Sequence, residues 1–122
     1  SGVLASNMTN NKGILGITNN VKLMILSTAP RKGINTDKDL ALAIYYAVDN
    51  GAKIINYSSN RELAFNYDFV EDALKYAESK GVLFVKAAGN GSKNIDVVNS
   101  YPNKYYNGTL LNNFIFHQYF II

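Results

Sequence analysis

Apolar residues along the chain fall into three short continuous runs and two longer stretches spaced at threes and fours. The runs lie at 21–26 (Val-Lys-Leu-Met-Ile-Leu), 52–56 (Ala-Lys-Ile-Ile-Asn) and 82–87 (Val-Leu-Phe-Val-Lys-Ala). Each is short, rich in Val, Ile and Leu, and closed by polar or glycine residues, the pattern of a strand in a parallel sheet. Between the runs, Leu40, Ala41, Ile44, Tyr45, Ala47 and Val48 make one apolar helical face, and Phe69, Val70, Ala73, Leu74 and Ala77 make a second. Helices are therefore predicted over 37–49 and 67–80. Thr36-Asp37-Lys38-Asp39 opens the first as a capping box, with Thr36 as N-cap and Asp39 reaching back. Gly51 and Gly81 end the two helices, because glycine adopts the left-handed C-terminal conformation without steric cost. They stand thirty residues apart, the length of one strand–helix–strand unit. The pattern predicts an α/β fold in which 21–26, 52–56 and 82–87 are adjacent parallel strands.

The flanks read differently. Residues 1–6 are small and apolar and suit a short buried helix. Residues 7–13 are a polar loop with a glycine stop; its oxygens suit a calcium ion, and a solvated Asn-rich turn suits them better. Residues 91–99 are again polar loop, and Tyr101-Pro102 and Tyr105-Tyr106-Asn107-Gly108 mark turns. Leu110 to Ile122 is apolar and aromatic, and is expected either to pair as an edge strand or to be poorly ordered. The organisation is one partial domain over 1–108 and a divergent apolar tail over 109–122.

Composition narrows the function classes. With 122 residues, 48% hydrophobic and 17% charged, the chain can build a core and is not of the disordered class. Its net charge of +3 comes from scattered cations, so no phosphate-binding stripe forms and no nucleic acid partner is expected. Without cysteine there is no thiolate nucleophile, disulfide or zinc cluster. The longest apolar stretch is broken by Asn, His and Gln and is too short for a membrane span. No basic and apolar leader opens the chain, which begins as though cut from something longer. Oligomeric state and localisation are left open.

Chemistry is expected just beyond the carboxyl ends of the strands, where open α/β sheets bind ligands. The third run ends there on Ala87-Ala88-Gly89-Asn90. Small residues let another backbone come close, and Asn90 brings an amide donor. Asn followed by Gly also starts ordinary turns, and on local grounds that reading is the stronger.

Five segments, taken together, resemble the middle of a subtilisin-like serine peptidase. Ser1-Gly2-Val3-Leu4-Ala5 resembles the small-residue helix after that family's His-Gly-Thr motif. Gly13-Ile14-Leu15-Gly16-Ile17 is similar to its Gly-Val-x-Gly-Val/Ile element. The segment 49–58, ending Ile54-Ile55-Asn56-Tyr57-Ser58, resembles its Val-Ile-Asn-x-Ser strand. Residues 81–90 resemble its Gly-Val-x-x-Val-x-Ala-Ala-Gly-Asn block. Tyr101-Pro102 falls where the family has a Tyr-Pro that is often cis. The resemblance implies a partial subtilisin-like fold, a three-layer αβα arrangement around a parallel sheet.

It also implies a peptide or protein substrate and a mechanism in which Ser attacks the scissile carbonyl, His takes its proton and Asp orients the His. The role of oxyanion donor would fall on Asn90. Ser58, Ser59 and Asn60 would pair with the substrate backbone, and Ala87, Ala88 and Gly89 would line the adjoining pocket. The family is mostly secreted or held in the cell envelope, and some members need calcium; no cofactor or metal ligand is expected from the residues themselves. Departures from the pattern matter equally. No stretch matches the His-Gly-Thr, the Asp motif or the Gly-Thr-Ser of the nucleophile. Ser58-Ser59-Asn60-Arg61 replaces Ser-x-Gly-Gly, and the only histidine, His117, lies in the tail. His117 reads as a strand or surface residue rather than a base. The expected function is thus that of an internal fragment of a serine endopeptidase, inactive by itself. The alternative is a non-catalytic α/β module that binds peptides or partners.

Overall fold

The computed structural model describes residues 2–6, 13–29, 36–59, 64–89, 94, 101–102, 105–106, 109–110 and 114–117. A short helix, α1, spans Gly2–Ala5. The first long helix, α2, spans Asp37–Asp49 and begins as its sequence dictates. Thr36 is extended, its Oγ1 accepts the Asp39 amide at 3.2 Å, and the Asp39 carboxylate accepts the Thr36 amide at 3.0 Å. This reciprocal pair satisfies donors that every helix start leaves over. Leu40, Ala41, Ile44, Ala47 and Val48 are buried on one face. Gly51 follows at φ +82°, in the left-handed region.

Strand β1, Ile54–Tyr57, comes next, then helix α3, Tyr67–Ser79, and strand β2, Leu83–Ala87. Val70, Ala73, Leu74 and Ala77 of α3 join the α2 residues, Val82 and Phe84 in one core cluster. Both helices thus cover one face of the sheet, with Ile55 and Tyr57 of β1 half-buried against them. Ile54, pointing the other way, is 62% exposed. β1 and β2 are parallel, from Ile54 opposite Leu83 to Tyr57 opposite Lys86, as the two glycine-capped units predict.

The run 21–26 does not join them. Among the described residues it forms no strand, and Val21, Leu23, Met24, Ile25 and Leu26 are 37–72% exposed. The sheet order is β1-β2-β5, where β5 is Phe114–His117 of the tail, parallel to β2. An apolar run states that a strand can form, but not which edge lies beside it. The second edge of β2 is taken by the tail, and β1 is left as the outer strand. Within the tail, Phe114–His117 pair as an edge strand, one of the two states expected of it. Before it, β3 (Tyr105–Tyr106) and β4 (Thr109–Leu110) pair antiparallel, so Tyr105 and Tyr106, read as part of a turn, are strand residues; Asn107 and Gly108 lie outside the described residues.

One further feature matches the sequence reading, and another is new. The Tyr101–Pro102 bond is cis, and Pro102 is buried. Gly16 lies against the backbone of Ala5 and Ser6 just after α1, where a Cβ would overlap both. There the Ile17 and Thr18 amides bond the Val3 and Leu4 carbonyls at 3.2 and 3.1 Å. The loop 7–12, considered for calcium, lies outside the described residues. No helix among the described residues is long and apolar enough to cross a membrane.

Candidate active-site edge at the carboxyl end of the sheet

The register of β1 on β2 brings their carboxyl ends level. Tyr57 stands opposite Lys86, so Ser58 and Ser59 leave β1 beside Ala87 and Ala88. Ser58 and Ser59 are exposed, while Ala87, Ala88 and Gly89 are half-buried. The Ser58 hydroxyl accepts a hydrogen bond from Asn56 Nδ2 at 2.9 Å, which ties its side chain back to the strand. Gly89 has φ +107°, a conformation that a side chain would strain. The structure therefore brings together five residues expected at the site: Ser58, Ser59, Ala87, Ala88 and Gly89. Asn60 and Asn90 lie outside the described residues.

His117 is placed by topology rather than by sequence distance. It stands fifty-eight residues after Ser59, yet its backbone pairs opposite Ala87 at the end of β5. Separation along the chain is thus no argument for separation in space. β5 and β1 flank β2, so at the usual strand spacing their backbones lie about 10 Å apart. A base must come within about 3 Å of the hydroxyl it deprotonates.

Two buried polar residues have roles that the sequence reading did not give them. Asp37, the first residue of α2, is only 6% exposed. Its Oδ2 accepts the amides of Phe65 at 2.7 Å and Asn66 at 2.9 Å. Asn66 is the N-cap residue of α3, and its own side chain makes no capping bond. Asp37 therefore supplies, from another helix, an acceptor at the start of α3. It lines a small hollow with Leu40, Tyr57, Tyr67, Tyr101 and Pro102. The Tyr67 and Tyr101 rings meet there edge-on, with centroids 4.6 Å apart. In the sequence Asp37 read only as part of a capping segment, and nothing local signals a bond to residues 65 and 66.

Lys86 is fully buried. Burial pushes its ammonium down to about 8, because the charged form loses hydration. Strand alternation carried the signal: two residues from Phe84, Lys86 must share its inward face. Among the described residues no group of three or more His, Cys, Asp or Glu is placed to hold a metal ion.

The sequence model of the Subtilase family matches residues 1–115, running into β5. The thermophilic serine proteinase of Bacillus sp. (strain AK1) is 36% identical over 104 residues, covering 84% of this chain and 25% of that protein. Thermitase of Thermoactinomyces vulgaris is 30% identical over 107 residues, covering 88% of this chain and 37% of that protein. A solved psychrophilic protease superposes with a TM-score of 0.73 at 25% identity, over 93% of this chain and 36% of that one. The chain thus spans a quarter to little more than a third of each of these relatives.

Proposed function

Because this chain belongs to the subtilase family, we propose that it forms the central part of a serine endopeptidase domain and supplies the substrate edge and one oxyanion donor. In this reading an extended peptide lies along Ser58, Ser59 and Asn60 and pairs with their backbone, as added strands do at open sheet edges. Ala87, Ala88 and Gly89 form the wall beside it, with the absence of a Gly89 side chain leaving room for close approach. Asn90 donates its side-chain N–H to the oxyanion of the tetrahedral intermediate, where charge develops in the transition state. The observation that carries the reading is the β1–β2 register, which sets Ser58-Ser59 level with Ala87-Ala88 in a chain that matches the family throughout that region.

Acyl transfer also needs a nucleophile beside a base, and a carboxylate to orient the base. No residue of this chain matches the family's Ser, His or Asp in those roles, so the 122 residues alone are inactive, with Asn90 present but idle. A serine hydroxyl without a base is a poor nucleophile at neutral pH. A fluorophosphonate probe, which labels activated serines, tests this directly. We expect no labelling of the 122-residue chain. Stoichiometric labelling of Ser58 or Ser59 that disappears in His117→Ala would overturn the reading and make the β1–β5 end a working active site.

A further inference from the structure

The connection between β1 and α3 begins with the exposed Ser58 and Ser59 and ends at Phe65 and Asn66. That far end is held by a single carboxylate oxygen, because both terminal amides point at Asp37 Oδ2. An aspartate that served only the dipole of its own helix would stand in water. Asp37 instead is buried, and its oxygen is committed to residues 28 and 29 positions further along the chain. Its own position is rigid: the Thr36–Asp39 capping box fixes the first turn of α2, and α2 is packed on α3 through the shared core. The hollow it lines is also walled by Tyr57, the residue directly before Ser58. The carboxylate thus holds one end of the connection and lines a hollow shared with Tyr57, the strand residue that precedes its other end.

We propose that Asp37 is a positioning residue for the substrate edge. By clamping Phe65 and Asn66 it keeps the start of the connection extended, with Ser58 and Ser59 beside Ala87 and Ala88. The proposal rests on reading that edge as the place where a peptide binds. Its physical basis is preorganisation: an edge already held straight does not lose conformational freedom again when a peptide pairs with it.

The test compares Asp37→Ala and Asp37→Asn with Thr36→Ala in the 122-residue chain. Thr36→Ala damages the same helix start without touching the clamp, so it controls for a merely structural effect. Backbone ¹⁵N order parameters at Ser58 and Ser59 are expected near the rigid value of about 0.85 in the wild type and in Thr36→Ala. In Asp37→Ala they are expected to fall below about 0.6, with Asp37→Asn, which keeps an acceptor oxygen, in between. A fall confined to Phe65 and Asn66, the same fall in Thr36→Ala, or a wild type already at the low value would overturn the proposal. If Asp37→Ala does not fold, the comparison of Asp37→Asn with Thr36→Ala decides. Titration with acetyl-trialanine amide provides a separate readout, expected to show about tenfold weaker binding in Asp37→Ala, the size of one lost ordering term. A wild-type chain that binds no peptide, yet shows the expected order parameters, overturns the substrate reading of the edge and not the hold of Asp37 upon it.

Discussion

Lys86 is a cation placed where the chain offers it no water. It shares the inward face of β2 with Phe84 and is fully buried, and this lowers its pKa from the ordinary 10.5 to about 8. Between those two values the unfolded chain holds more protons than the native one, so stability rises with pH across that window. Below pH 8 the ammonium is charged in both states, and the desolvation cost is then fully present, on the order of 3 kcal/mol. Urea unfolding of the wild type is therefore expected to show a higher midpoint at pH 10 than at pH 7.5. Lys86→Met should remove most of that difference and raise the pH 7.5 midpoint. The comparison also cancels Tyr76, whose hydroxyl is pushed up chiefly by its hydrogen bond to Asp49 and titrates in both proteins. Equal pH slopes in the two proteins would show that burial does not govern this lysine.

At the scale of elements, helices and strands are held by different kinds of contact. α2 is fixed by its own ends: a capping box at Thr36 and Asp39 and a left-handed glycine at 51. Loss of the Thr36 hydroxyl is expected to cost about 1 kcal/mol. The short α1 has only four residues, too few for a helix to persist alone. It is held by the segment that crosses it, through Gly16 and the amides of Ile17 and Thr18. A methyl group at position 16 would meet the backbone of Ala5 and Ser6, which cannot rotate away as a side chain can. Gly16→Ala is accordingly expected to destabilise by roughly 1–3 kcal/mol, the usual range for overpacking. Denaturant titration measures the loss, and the amide shifts of Val3 and Leu4 should move with it. A neutral Gly16→Ala would mean that α1 yields to the intrusion at no cost.

Among the described residues of the molecule as a whole, one face of the sheet is covered by helices and a set of apolar side chains elsewhere is exposed. α2 and α3 pack on one side of the sheet, while among the described residues Ile54 and the run 21–26 keep much of their apolar surface in water. Exposed apolar surface, where it gathers, attracts hydrophobic ligands and other apolar surfaces. The folded chain is thus expected to enhance the fluorescence of anilinonaphthalene sulfonate while keeping native amide dispersion. Ile25, 72% exposed, contributes little to the core, so Ile25→Lys should lower the dye signal and change stability by less than about 0.5 kcal/mol. A dye signal unaffected by Ile25→Lys would locate the open surface elsewhere.

Most of what acts over short distances was legible in the sequence. Caps, left-handed glycines and the three-and-four spacing work within about four residues, so the bounds of α2, the core of α2, most of that of α3 and, to within two residues, the strands read at 52–56 and 82–87 followed from the chain itself; Phe69, read on the apolar face of the second helix, is instead 54% exposed. The motif order also placed Ser58-Ser59 and Ala87-Ala88-Gly89 at one end of the sheet, because parallel strands of successive units end on the same side. Tertiary structure decided everything that depends on which surfaces meet. A strand's amides and carbonyls can be satisfied by any extended neighbour, so the apolar run 21–26 could not announce that Phe114–His117, and not itself, would pair in this sheet. His117 reached the level of Ala87 by that same pairing. The burial of Asp37 and its bonds to residues 65 and 66 depend on two helix starts being packed together. A charge at that position reads as solvated in the sequence, and only the packed neighbours around it make it a clamp.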